Sequence, residues 1–218
     1  MDDAVDTAAA PRAEGGRRER SKRDKLARIV RAASVLFSER GFEATTTQAI
    51  AEQAGIGAGT LFLYVRSKDD LLVRVVLEAL GRELDDASST VPAEGAVAEQ
   101  VLALFATLVA YLEEDSGLSR AFLKEVLFAS DAERPAVQGM VDQFHGRLGH
   151  LVNGAKDRGE VAAEVSPSDL AANLFALFFH VLQLRHGGHL PATDVPARLR
   201  AAVELQLRAC QPARRATK

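Results

Sequence analysis

A single cysteine, Cys210, stands in 218 residues. One thiol excludes an intrachain disulfide and any zinc or iron–sulfur site built from several cysteines. No uninterrupted apolar run reaches the roughly 18 residues that a membrane span needs. Residues 1–20 carry Asp2, Asp3 and Asp6 and then arginines, without the apolar stretch of a secretory leader, so a cytoplasmic location is expected. The net charge of −3 is too small to argue for a polyanionic partner by itself. What is present is an ordinary globular composition, 47% hydrophobic and 26% charged. That excludes a wholly disordered or fibrous chain and suffices for a sizeable core.

The charge is unevenly spread. Residues 17–74 carry 12 Lys/Arg against 7 Asp/Glu, whereas residues 75–218 carry 14 against 19. A basic front on an acidic body is the asymmetry of a chain whose one end meets a polyanion. Solvated helix faces also produce such a bias, so the pattern needs a motif to give it meaning.

Residues 1–20 have no apolar periodicity and read as a disordered basic arm. From Ser21 the period becomes helical: Leu26, Ile29, Val30, Ala33, Leu36 and Phe37 recur at spacings of three and four. Gly41 suits the positive φ of a helix C-cap, with Phe42 able to fold back onto the helix end. Thr45 and Gln48 have capping-box spacing for a second, short helix carrying Ile50, Ala51 and Ala54 on its buried side. Gly55-Ile56-Gly57 makes a tight turn, and Ala58–Val65 has room for about two helical turns. Ser67 with Asp69 and Asp70 opens a long helix. Ser88–Gly95, with Pro92, is the clearest break. Beyond it every long segment is helical in period. Ser166-Pro167 opens a helix through His186, and Asp194–Cys210 closes the chain. No segment alternates as a strand does. The expected fold is all-α, with about nine helices.

Two short helices joined by a glycine turn and backed by longer ones have the arrangement of a helix-turn-helix, whose second helix enters the DNA major groove. Burial accounts for Ile50, Ala51, Ala54, Leu61 and Val65. It does not account for Gly57, Ala58, Gly59 and Thr60, small residues that let backbone approach a groove edge or phosphate. Gly41-Phe42-Glu43-Ala44-Thr45-Thr46-Thr47, Ile50-Ala51, Ala54-Gly55-Ile56, Gly59-Thr60-Leu61-Phe62-Leu63-Tyr64 and Ser67-Lys68-Asp69-Asp70-Leu71 together resemble the DNA-binding domain of the TetR family of bacterial transcriptional regulators. The resemblance covers about residues 23–83. It implies a homodimer whose C-terminal body binds a small effector and alters the spacing of two DNA-binding heads. Carried over by position, it implies phosphate contacts from Thr46, Thr47 and Lys68. It places Ala58, Gly59 and Thr60 near the DNA and Leu63 and Tyr64 at the groove. Arg23 and Arg66 would add phosphate or minor-groove contacts. Phe62 stands where a tyrosine hydroxyl often meets phosphate, Gly57 where a serine is common, and Val65 where a phenylalanine is usual.

The organisation this gives is an arm over 1–20 and a head over 21–87 with its motif at about 46–65. An effector-binding and dimerisation body follows over 94–211, and then a tail over 212–218. Segment 170–184 is apolar almost all round, so one face is expected to meet the chain's own core and the other a second subunit. Leu174, Phe178, Val181, Leu199 and Val203 are the candidate interface residues. Phe105, Leu108, Tyr111, Phe122, Phe128, Phe144 and Phe175 could line an apolar effector cavity, with His145, Gln183 or Asn173 as polar handles.

His186-Gly187-Gly188-His189 lacks the spacing of a helical metal pair and reads as a solvated helix end; no metal or cofactor is expected. The glycines at 55, 57 and 59 follow a helix rather than a strand, which argues against a nucleotide loop. No nucleophile–base arrangement supports catalysis. The reading is a dimeric DNA-binding regulator, a repressor of a palindromic double-stranded operator released by a small apolar ligand. An all-helical enzyme or metal-binding protein using the histidines, and a ligand-independent architectural DNA binder, are the alternatives.

Overall fold

The apolar stripe read from Leu26 to Phe37 belongs to the first helix, α1 (Arg12–Arg40), with Ile29, Val30, Ala33, Leu36 and Phe37 buried. The structure, a computed structural model, describes residues 12–92 and 94–212. α1 begins at Arg12 rather than Ser21, so residues 12–20 of the expected disordered arm are helical. Ala, Glu and Arg are strong helix formers, and Arg20 Nε donates to the Gly16 carbonyl at 3.3 Å. Residues 1–11 of that arm, and residues 213–218 of the tail, lie outside the described residues. Gly41 takes φ +80° and donates its N–H to Phe37 O at 2.9 Å. Phe42 returns onto Phe37 edge-to-face at 5.3 Å, as the C-cap reading required.

α2 (Thr47–Gln53) and α3 (Ala58–Leu61) follow. The N-cap of α2 is Thr46, whose hydroxyl accepts from Ala49 N at 3.1 Å, not Thr45 as the spacing suggested. Thr45 is buried instead, its hydroxyl shared between the carbonyls of Gly41 (2.8 Å) and Leu36 (3.1 Å). α3 is shorter than the expected Ala58–Val65. Beyond Leu61 the chain continues as turns, with Leu63 N on Thr60 O and Val65 N on Leu61 O.

α4 (Lys68–Thr90) opens on the Ser67 cap, which accepts from Asp70 N at 3.0 Å. The break at Ser88–Gly95 ends α4, but the chain divides into its two compact units earlier, between Leu71 and Leu72. The reason lies in the apolar face of α4, which carries Leu77 and Leu80 into a cavity lined by helices of the body. The body continues with α5 (Val97–Glu114), α6 (Ser116–Val126), α7 (Arg134–Asp157), α8 (Pro167–His186) and, after one 3-10 turn, α9 (Val195–Arg208). No strand occurs among the described residues. α8 packs against α6, α7 and α9, and α5 against α6, α7 and α9.

The segment His186–His189 corrects the expectation of a solvated helix end. His189 is exposed, but the His186 imidazole is buried with no hydrogen-bond partner on either nitrogen. Beside it Arg185 grips Glu113 through two bonds of 2.8 Å. Burial lowers the His186 pKa below its ordinary value; Glu113, 4.0 Å away, opposes this and Arg185 reinforces it. The folded state therefore disfavours the imidazolium, and below pH 6.5 the unfolded chain binds the extra proton first. Stability attributable to this residue should fall as pH drops through that range, by up to about 1.4 kcal/mol per pH unit. Urea unfolding at pH 7.5 and 5.5 should show a larger loss for the native chain than for His186→Leu; equal losses would contradict this account.

Candidate nucleic-acid interface and effector cavity

α2 and α3 are held from below by Ile50, Ala51, Ala54, Leu61 and Val65, all buried. Gly55, at φ +67°, turns the chain between them, with Ile56 N returning to Ala51 O at 3.0 Å. The opposite side is open. Thr46, Ala58, Gly59, Arg66 and, on α1, Arg23 are exposed; Thr47, Thr60 and Tyr64 are half-buried. Leu63 is 76% and Phe62 52% exposed. A Cβ placed on Gly59 would meet nothing within 4 Å, so packing does not require glycine there. The N-cap of α3 is Gly57, without a side chain to cap the first N–H groups. The helix start is thus small, flat and electropositive.

Lys68 has its ammonium turned inward. Its ammonium donates to the carbonyls of Phe42 (2.8 Å), Thr45 (3.2 Å) and Glu43 (3.4 Å) and sits 4.2 Å from the Phe42 ring centroid. An ammonium has three donors, and here they are turned onto the loop between α1 and α2. Lys68 fastens that loop to the start of α4. Lys68→Ala should therefore cost stability, about 1–3 kcal/mol. Operator binding below the melting point should keep its salt slope. A slope reduced by about one with the melting temperature unchanged would return Lys68 to the phosphate.

In the body, Phe105, Phe144 and Phe178 stack with centroid distances of 4.6–6.1 Å, and Phe175 meets Phe144 edge-to-face at 5.2 Å. Beside this stack lies a cavity of about 220 Å³ lined wholly by apolar side chains, among them Leu77, Leu108, Phe122, Met140, Phe144 and Phe175. Of the expected lining, Leu108, Phe122, Phe144 and Phe175 are there and Phe105, Tyr111 and His145 are not. Phe105 is fully buried behind Phe178. Tyr111 is half-buried away from the cavity, where burial raises its hydroxyl pKa. His145 rests its ring on Phe175, 5.2 Å away, with Nε2 buried and unpartnered. Phe128 points outward, 87% exposed. Leu77 and Leu80 of α4, and Val137, Met140 and Val141 of α7, were not anticipated; only the packing of five helices, α4 to α8, reveals them.

The residues expected at a subunit interface pack within the chain itself. Leu174, Phe178, Val181, Leu199 and Val203 are all buried within the single chain, because α8 spends that face on α6, α7 and α9. Among the described residues no three His, Cys, Asp or Glu side chains gather to hold a metal ion. No described helix is long and apolar enough to cross a membrane.

The signature described as bacterial regulatory proteins, tetR family, matches residues 29–75. The transcriptional repressor KstR of Rhodococcus jostii is 29% identical over 205 residues, covering 92% of this chain and 91% of KstR. The fatty acid metabolism regulator protein of Bacillus subtilis is 33% identical over 85 residues, covering 39% of this chain and 43% of its own. Among solved structures, the TetR-family repressor FadR of Thermus thermophilus in complex with lauroyl-CoA superposes with a TM-score of 0.69 at 20% identity. It covers 88% of this chain and all of its own. FadR of Bacillus subtilis in complex with stearoyl-CoA gives 0.62 at 18%, covering 83% of this chain and 97% of its own. The head's short helices, their glycine turn and their exposed small residues, together with this match, lead to one conclusion: residues 29–75 carry the signature of the bacterial tetR-family regulatory proteins, and the chain is similar over most of its length to the repressor KstR.

Proposed function

We propose that the protein is a cytoplasmic repressor, without enzymatic activity, that holds a palindromic operator as a homodimer and releases it on binding an apolar effector. One observation carries the DNA half: Leu61 and Val65 anchor the segment that starts at α3 while Leu63, between them, is 76% exposed beside exposed Ala58 and Gly59. A large apolar side chain held out on a rigid support, next to an uncapped helix start, suits a thymine methyl and a phosphate edge. Thr60, Tyr64 and Arg66 complete that surface, and Thr46, Thr47 and Arg23 supply flanking backbone contacts. The wholly apolar lining of the body cavity supports the effector half. At about 220 Å³ it is below the usual range for drug-sized ligands, so an aliphatic chain suits it better than a rigid ring system. The acyl groups of lauroyl-CoA and stearoyl-CoA are the first probes to try.

With the inner face of α8 committed to the core, the partner surface is assigned to the outer faces of α8 and α9. Ala176, His180, Gln183, Ala201 and Leu205 are exposed there, Leu205 at 66%.

The test is selection of a binding site from random-sequence DNA. It should return a palindrome bound with steep salt dependence and released by lauroyl-CoA. Failure to select any sequence would refute the reading. Leu63→Ala should weaken operator binding tenfold or more and shift the melting temperature little, since exposed substitutions stay within about 0.5 kcal/mol; parallel loss of stability would make Leu63 a core residue.

Leu205→Asp should yield a folded monomer by sedimentation and abolish tight operator binding with the head intact. Two heads must stand about 34–36 Å apart to reach successive major grooves. A Leu205→Asp dimer with native affinity would move the interface elsewhere.

A further inference from the structure

The body also holds a cavity with a polar edge, apart from the apolar one. Between the last turns of α4, the first turns of α5 and the end of α7 lies a space of about 410 Å³, within the range of small-molecule sites. Its floor is Leu84, Leu104 and Leu151; its edge carries Arg147, His150 and Arg158. Among the described residues no acidic side chain lines it, and it shares no lining residue with the apolar cavity.

Arg158 is built into place. Its Nε donates to Glu160 at 2.6 Å and its Nη2 to the Gln100 carbonyl oxygen at 3.1 Å. Gln100 is buried, and its amide donates to Pro92 O at 2.8 Å, which turns the side-chain carbonyl toward Arg158. Glu160 is fixed in turn by the Val97 N–H at 2.8 Å. These bonds use two of the guanidinium's five N–H donors and leave Nη1 for another acceptor. Gly154 stands beside that nitrogen: a Cβ there would come within 3.2 Å of Nη1. Glycine within a helix is disfavoured against alanine, and here its bareness keeps the guanidinium uncovered. Arg147, bonded to Asp85 through Nη2 at 2.8 Å, brings a second fork to the same edge.

We propose that this cavity is a second ligand site, distinct from the effector cavity, for a small amphipathic carboxylate whose apolar part lies on Leu84, Leu104 and Leu151 and whose carboxylate is taken by Arg158 and Arg147. Planar guanidinium forks match a carboxylate in two-point geometry. The wholly apolar cavity offers no group for such a charge. The site does not rest on the operator reading, and DNA binding need not be measured to test it.

Calorimetric titration of the full chain with octanoate and with uncharged octanamide tests the proposal. Octanoate should bind at least tenfold more tightly. Arg147→Gln combined with Arg158→Gln should erase that preference and leave octanamide nearly unchanged. Gly154→Ala, which favours the helix and so folds, should press on Nη1 and weaken octanoate several-fold. Val141→Phe, which narrows the other cavity, should leave octanoate binding intact. Equal affinity for the two probes, no octanoate binding at 10 mM, or loss of octanoate in Val141→Phe but not in the arginine variant would each overturn it.

Discussion

Helices of seven and four residues do not persist in water on their own, and that constraint governs the head. α2 and α3 exist because their inner side chains are buried and because the loop leading into them is tied at two points. Thr45 hangs beneath the end of α1 through Leu36 and Gly41. Lys68 gathers three carbonyls of the same loop. A charge-assisted bond is roughly twice as strong as a neutral one, so the lysine does more for the fold here than it would as one more surface cation. The consequence is a division of labour. Groups that hold the loop are turned inward, and those left for a nucleic acid are small, apolar or carried on exposed arginines.

The body obeys a similar economy. Five phenylalanines from α5, α7 and α8 lie in edge and stacked contacts, and rigid rings that meet each other leave space where they do not meet aliphatic neighbours. The apolar cavity is that space. The same packing explains why Leu174, Phe178 and Val181 are not available to a partner subunit. An apolar helix does not need a second chain when three neighbours from its own already surround it.

Much of this was legible in the residues. The stripe of α1, the Gly41 cap, the Ser67 and Ser166 caps and the glycine turn at Gly55 all follow from local chemistry and lie where expected. Errors arose where a residue's task depends on something distant in sequence. Thr45 and Thr46 have near-equal claims to a cap until the end of α1 captures one of them. Lys68 reads as a free cation until Phe42, Glu43 and Thr45 are folded against it. His186 looks solvated beside two glycines, but α5 brings Glu113 to Arg185 and buries the imidazole. The apolar face of α8 is visible in one dimension; which neighbour takes it is a property of three.

α4 is where these tasks meet in one element. Its first residue, Lys68, organises the loop of the head. One turn and a half later Arg74 donates to Glu133 at 2.6 Å, just before α7, in a pair whose carboxylate is 1% exposed. The pair is incompletely satisfied: Arg74 Nε, Glu133 Oε2 and the hydroxyl of Ser130 are buried without partners. A buried pair of that kind adds little net stability, yet losing one partner costs about 3–5 kcal/mol. It therefore fixes position more than it stabilises, holding one arrangement of α4 against the start of α7. The following turns of α4 present Leu77 and Leu80 to the apolar cavity, opposite Val137, Met140 and Val141 of α7. A ligand entering there must act on the same pair of helices that Arg74 and Glu133 register. α4 is one continuous helix from Lys68 to Thr90, so Lys68, Arg74, Leu77 and Leu80 belong to a single hydrogen-bonded element whose successive turns carry different tasks.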